Sequence, residues 1–153
     1  MPVTVEDPRA EDVVALLQRH LAFANEHSPP EDVHALDVER LLDPAITFCS
    51  ARDDDGALLG VGALKELDAS HGELKSMHTA VEVRGRGLGR AMAEHLLRLA
   101  RDRAYERVSL ETGTMAAFAP ARTLYASLGF EVCPPFSDYV DSPNSVCMTL
   151  ELR

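Results

Sequence analysis

The seven residues Arg84 to Arg90 hold Gly85, Gly87 and Gly89 among Arg84, Arg86 and Arg90, with Leu88 opening an amphipathic helix. This arrangement suits an anion. The first turn of a helix has N–H groups without intrahelical partners and a partial positive charge. Glycine lets the backbone turn sharply and approach a ligand closely, and the arginines add charge. A pyrophosphate is the anion such a cradle would take. The competing reading is a structural turn followed by a solvated face, since Arg90, Glu94 and Arg98 lie at i,i+4 spacing. That accounts for Arg98 and Arg101 but not for Arg84 and Arg86, which precede the helix. A phosphate loop of the GxxxxGK type, closed by Ser or Thr, is absent. The glycines run G-x-G-x-G after the fourth expected strand, whereas a dinucleotide turn runs G-x-G-x-x-G after the first.

Acid–base chemistry has two candidate residues. In "VSLETG", alternation puts Val108, Leu110 and Thr112 on one face and Ser109 and Glu111 on the other. Burying a lone carboxylate in a central strand is costly. Glu111 therefore reads as a base acting through a water, as an anchor for a substrate amine, or as an ion-pair partner of Lys75 on the neighbouring strand. His78 is the second candidate base, because an imidazole titrates in the useful range; the alternative is a strand histidine that is only hydrogen-bonded. Asp138, Tyr139 and Asp141 in one loop, with Glu26, His27 and Asp32 in another, would give an acidic rim that favours a cationic amine. Cys49, Cys133 and Cys147 are far apart and form no CxxC pair. They read as reduced, buried thiols, with neither a disulfide framework nor a metal site.

The elements that must position these residues follow from periodicity and punctuation. "PVTVE" alternates and reads as a strand. Asp7 before Pro8 reads as the N-cap of a helix that places Val13, Leu16, Leu17 and Leu21 at helical spacing. A second helix is expected over "SPPEDVHALDVERLLD". "AITFCSARDDDGALLGVGALKEL" reads as a hairpin around its acidic Gly turn, and "GELKSMHTAVEV" as a long central strand. Leu88, Met92, Leu96 and Leu99 give the helix of about 88–104 an apolar stripe that holds it on the sheet. "RVSLETG" is a strand, "FAPARTLYASLG" a helix ended by Gly129, and "FEVC" and "SVCMTLEL" two closing strands. Hairpins and crossover helices mix in this order, which predicts a mixed-sheet α/β domain rather than a doubly wound one.

The chain has 153 residues and reads as one domain over 1–153. Its net charge of −10 argues against general nucleic-acid binding. The charge is uneven: residues 84–107 carry seven Arg against Glu94, Asp102 and Glu106. A basic island in an acidic chain points to a local anion site. No run of about 18 apolar residues exists, so no membrane span is expected. The acidic start lacks a signal-peptide apolar region, and a cytoplasmic location is expected.

Two motifs in register carry a resemblance. "RGRGLG", with Arg84, Gly87 and Gly89, resembles the acetyl-CoA loop of the GNAT-type N-acetyltransferases. "ARTLYASLGF", with Ala121, Leu124, Tyr125, Gly129 and Phe130, resembles a second segment of that family. "KSMHT", "SLETG" and "PNSVCMTLEL" also look like a small, poorly characterised bacterial branch of it. The resemblance spans nearly the whole chain. It implies the GNAT acyl-CoA N-acyltransferase fold, a mixed, mostly antiparallel, splayed sheet flanked by about four helices. It further implies acetyl-CoA as cosubstrate with no metal, and a small-molecule or peptide amine as acceptor; the oligomeric state is left open, a homodimer being one option. By resemblance the CoA arm would pair with the backbone of Met77, His78 and Thr79. The pyrophosphate would sit on Arg84, Gly85, Arg86, Gly87, Leu88, Gly89 and Arg90. Tyr125 would protonate the departing thiolate, although the residues alone read Tyr125 as core. Lys75, Glu111, Asp138 and Tyr139 would meet the acceptor. Phe118 stands where the family often has Asn, which removes one polar contact to the arm. A CoA-binding sensor that has lost catalysis is the alternative reading.

Overall fold

The computed structural model describes residues 3–28 and 38–152. Ten elements run β1 (Val3–Val5), α1 (Glu11–His27), β2 (Ile46–Arg52), β3 (Leu58–Asp68), β4 (His71–Thr79), α2 (Leu88–Asp102), β5 (Arg107–Gly113), α3 (Ala119–Ser127), β6 (Glu131–Cys133) and β7 (Ser145–Glu151). They form a seven-stranded sheet in the order β1-β2-β3-β4-β5-β7-β6. Every neighbouring pair is antiparallel except β4 with β5. The sheet is mixed, as the order of elements predicts, and mostly antiparallel, as the family resemblance implies.

Each face of the sheet has its own apolar core. On one face α2 buries Leu88, Met92, Ala93, Leu96, Leu97 and Ala100, packed with Leu64, Leu74, Val108, Leu110, Tyr125 and Met148. On the other, α1 packs Val13, Leu16 and Leu17 against Phe48, Val61 and Ala63. Alternation along β3 explains the split, with Leu64 facing α2 and Val61 and Ala63 facing α1.

The parallel pair carries the feature that matters for function. β4 and β5 are in register only from His71↔Arg107 to Glu73↔Ser109. Beyond that point β4 continues to Thr79 on β3 and β5 to Gly113 on β7, without pairing with each other. The two strands part and leave a V-shaped gap in mid-sheet. Arg122 of α3 holds the far end of β5, donating to the carbonyls of Gly113 at 2.7 Å and Met115 at 2.9 Å.

Two expectations are corrected, and a third falls mostly outside the described residues. Asp7 does not cap α1: its carboxylate accepts from the backbone N–H and guanidinium of Arg9, so residues 7–10 make a turn and the helix starts at Glu11. The strand expected to reach Val83 stops at Thr79, because Val81–Val83 curl into a 3₁₀ turn closed by Val83 N–H on the Ala80 carbonyl. The second helix falls largely on residues 29–37, outside the described residues, and its described end at Arg40–Leu42 is a single 3₁₀ turn. Among the described residues the α-helices number three.

Candidate active site

A β-bulge turns β4 into a two-sided device. Val61 of β3 pairs with His78, whereas Ala63 pairs with Lys75, so Gly62 faces both Ser76 and Met77. One extra residue exchanges the faces of everything after it. Leu74 and Met77, three apart, therefore both face α2, while Lys75 and His78 both face α1. Gly62 must be bare, because a Cβ there would lie 2.7 Å from the Met77 sulfur and 2.7 Å from Met92 Cγ. The Met77 side chain is thus core packing.

A cavity of about 590 Å³ follows the gap from one face to the other. At one end it is lined by Arg84, Gly85, Gly87, Leu88, Gly89 and Arg90. Gly85 and Gly87 have φ of +84° and +79°. Gly87 is the N-cap residue of α2 in the left-handed region, which favours glycine. Apart from the adjoining backbone, no protein atom lies within 4 Å of a Cβ built on either glycine, so that backbone borders open space. Such a loop at a helix N-terminus fits a pyrophosphate. Arg84 lies 5.8 Å from the Phe23 ring centroid, and Arg90 contacts Ser127 and Glu94. Arg86 is exposed and lies outside the cavity lining.

The other end is polar and belongs to the α1 face. Lys75 Nζ donates to Glu73 Oε2 at 3.0 Å and to the Tyr139 hydroxyl at 2.9 Å, and Tyr139 donates to Glu73 Oε2 at 2.6 Å. The Glu73 and Lys75 side chains are only 3% and 10% exposed. Burial and the Glu73 carboxylate push the Tyr139 phenol up, which keeps it a donor. Glu111 also lines the cavity, opposite Cys147 in the β5–β7 ladder. Lys75→Met should destabilise the fold by about 3–5 kcal/mol, because it strands a buried carboxylate. Combining it with Glu73→Leu should recover most of that loss in denaturant unfolding. A single variant no less stable than the double one would show that the pair is not compensating a buried charge.

His78 lies against His20 of α1, with the two Nδ1 atoms 3.2 Å apart. Burial first, then the charges of His20, Arg84 and Arg19, push the His78 imidazole down to about 3. Burial also lowers His20. At neutral pH both rings are uncharged, so His78 lies well below the range that suggested it as a base. The pH dependence has a definite sign. Unfolded His78 binds a proton below about 6.5 and the native ring does not until about 3. Stability should therefore fall as pH drops from about 6.5 toward 3. His78→Gln should lose less stability than the wild type between about pH 7 and pH 4.5 in urea titrations. Parallel losses would place the native His78 ring in solvent.

Tyr125 reaches the gap from α3. It is 6% exposed and packs edge-on against Phe130 with ring centroids 5.8 Å apart. Burial pushes its phenol upward, so the hydroxyl stays protonated at neutral pH.

The structure brings most of the residues singled out from sequence into one cavity: Lys75, His78, Glu111, Tyr125 and Tyr139 line it, with Met77 and Thr79. Asp138 is exposed and outside the lining. Asp32 lies outside the described residues. Sequence reading missed Glu73, although Glu73 and Lys75 are two apart on a strand and so must share a face. It also missed His20, which nothing local joins to His78. Phe118 makes apolar contacts: it meets Phe23 edge-on at 5.4 Å, and a Cβ on Gly113 would strike its ring.

A splayed sheet has a glycine-rich helix start on one side of the gap and an ionisable pocket on the other, joined by one cavity. The Acetyltransferase (GNAT) family matches residues 11–130, and the chain belongs to that family. It is 49% identical over 152 residues to the uncharacterized N-acetyltransferase YsnE of Bacillus subtilis (strain 168), covering 99% of this chain and 100% of that one. In fold it is similar to a putative acyl-CoA N-acyltransferase from Klebsiella pneumoniae, with a TM-score of 0.80, 24% identity and coverage of 99% and 97%. It is also similar to a GNAT family acetyltransferase from Elizabethkingia anophelis with acetyl-CoA bound, with a TM-score of 0.71, 15% identity and coverage of 98% and 97%. Among the described residues no helix is long and apolar enough to cross a membrane.

Proposed function

We propose that the protein transfers an acetyl group from acetyl-CoA to a primary amine of a small molecule or peptide, by direct attack within a ternary complex. The observation that carries this reading is the gap itself. It joins the α2 loop to the Glu73, Lys75, Glu111 and Tyr139 pocket through one cavity, so donor and acceptor can meet from opposite faces of the sheet.

Each part of the chain has a task in this reading. The loop from Arg84 to Arg90 holds the pyrophosphate on backbone N–H groups. Met77, His78 and Thr79 keep β3 on one side, and their edge toward β5, which has no partner strand there, offers the pantetheine amides the partners that β5 no longer supplies. Glu111 takes a proton from the acceptor ammonium, through a water, because only the neutral amine has a lone pair. The amine nitrogen then attacks the thioester carbon. As the C–N bond forms, the carbonyl π pair moves to oxygen; its return breaks the C–S bond and sends that pair to sulfur. Tyr125 gives its phenolic proton to that sulfur, the acylated nitrogen loses its second proton to water to become the neutral amide, and water returns a proton to the Tyr125 phenolate, so one proton is released to solvent per turnover. A phenol is a weak acid, but the same burial that raises it also makes the thiolate more basic, which keeps the transfer matched.

The Glu73–Lys75 pair balances its own charge, so a carboxylate at Glu111 favours a cationic amine over an acidic one. The direct test is an amine panel scored for acetyl-CoA-dependent release of CoA, with the acetylated product identified by mass. Release with at least one amine is expected. Tight acetyl-CoA binding with no release across a broad panel would instead support a binding domain without catalysis.

A further inference from the structure

Among the described residues, Ser76 Oγ is the one buried side-chain nitrogen or oxygen without a hydrogen-bond partner. Ser76 is 9% exposed and sits at φ +55°. Both features cost free energy: a hydroxyl taken from water without a partner, and an L residue in the left-handed region. The fold has no need of that hydroxyl, since an alanine would have no polar atom to leave unpaired. The left-handed φ belongs to the bulge and serves the fold; the unpartnered hydroxyl costs stability without serving it, and it points to a ligand.

The position says which ligand atom. Ser76 is in the bulge, three residues past the last β4–β5 pair, Glu73↔Ser109. It lies at the root of the gap, between Lys75 on the acceptor face and Met77 on the α2 face. Tyr125 lines the same cavity. We propose that the Ser76 hydroxyl donates a hydrogen bond to the thioester carbonyl oxygen and holds the negative charge that this oxygen takes as the amine adds. No bond of Ser76 breaks. It donates while the C–N bond forms, and the oxygen returns its pair as the C–S bond breaks. The inference rests on the acetyl-CoA reading above.

Ser76→Ala separates function from folding, because the two effects have opposite signs. The ligand-free variant should melt at or above the wild-type temperature, since it no longer buries an unpaired hydroxyl. Its affinity for CoA, which has no acyl carbonyl, should be unchanged in calorimetry. Its kcat with an accepted amine should fall about a hundredfold, as for loss of an oxyanion donor, and acetyl-CoA should bind a few-fold more weakly. Ser76→Cys, which keeps the volume and a weaker donor, should fall between the two and serves if the alanine variant does not fold. The inference is overturned by a kcat within about twofold of the wild type. A parallel loss of CoA and acetyl-CoA affinity also overturns it, because the hydroxyl would then serve the pantetheine arm. A large drop in the melting temperature of both ligand-free variants overturns it too, because the hydroxyl would then serve the fold. A wild-type protein that binds no acetyl-CoA instead defeats the reading of the function, and that is seen before any variant is made.

Discussion

Tyr125→Phe is expected to lower kcat by about 10²–10⁴-fold while leaving acetyl-CoA affinity nearly unchanged. The hydroxyl is asked to act as the thiolate leaves, so it stabilises the transition state more than the ground state. The ring itself is a packing element: Tyr125 is buried against Phe130 in the α2-side core. Phenylalanine keeps that ring and removes a buried hydroxyl, so the variant should fold as well as the wild type. Activity must be followed across pH, because losing an acid should cost most where water and buffer are poor proton donors. Wild-type turnover at every pH would make Tyr125 a packing residue and leave the thiolate to another donor.

Gly87→Asp should weaken CoA binding by at least about a hundredfold. The physical reason is specific. Apart from the adjoining backbone, a Cβ on Gly87 meets no protein atom within 4 Å, so the substitution does not overpack the fold. Its folding cost is confined to φ +79°, about 1–2 kcal/mol for an L residue. The binding cost is electrostatic, since a carboxylate would stand at the helix N-terminus where the pyrophosphate should bind. Two like charges about 4 Å apart repel by about 4 kcal/mol near a protein surface. Gly87→Asn has nearly the same shape and tolerates the left-handed region as well, but it carries no charge. It should retain far more affinity than the aspartate. If calorimetry shows the folded aspartate variant binding CoA as the wild type does, the loop is not part of the donor site.

Much of this was legible in the chain because the signals are local. The glycine spacing of residues 85–89 marks a turn into a helix, and Gly85 and Gly87 do take positive φ. The alternation in "VSLETG" places Val108 and Leu110 in one core and Glu111 toward the opposite face, where it lines the cavity. The stripe of α2 is periodic, and its helix lies on the sheet through Leu88, Met92 and Leu96. Each of these depends on residues two to four apart, the reach of strand and helix geometry.

The tertiary structure decided what lies farther apart. Lys75 and Tyr139 meet across 64 residues, and His20 and His78 across 58, because sheet register and helix docking place them together. No local pattern encodes such a meeting. The bulge is the sharpest case. Simple alternation would send His78 to the α2 face with Leu74; one added residue sends it to His20 instead. A left-handed position is ordinarily announced by glycine, but here it is occupied by Ser76. The sequence determined a glycine-rich turn into a helix, an α/β order and a carboxylate on a central strand. The register between β3 and β4, with Met77 packed over the bare Gly62, decided which β4 side chains face each side of the sheet.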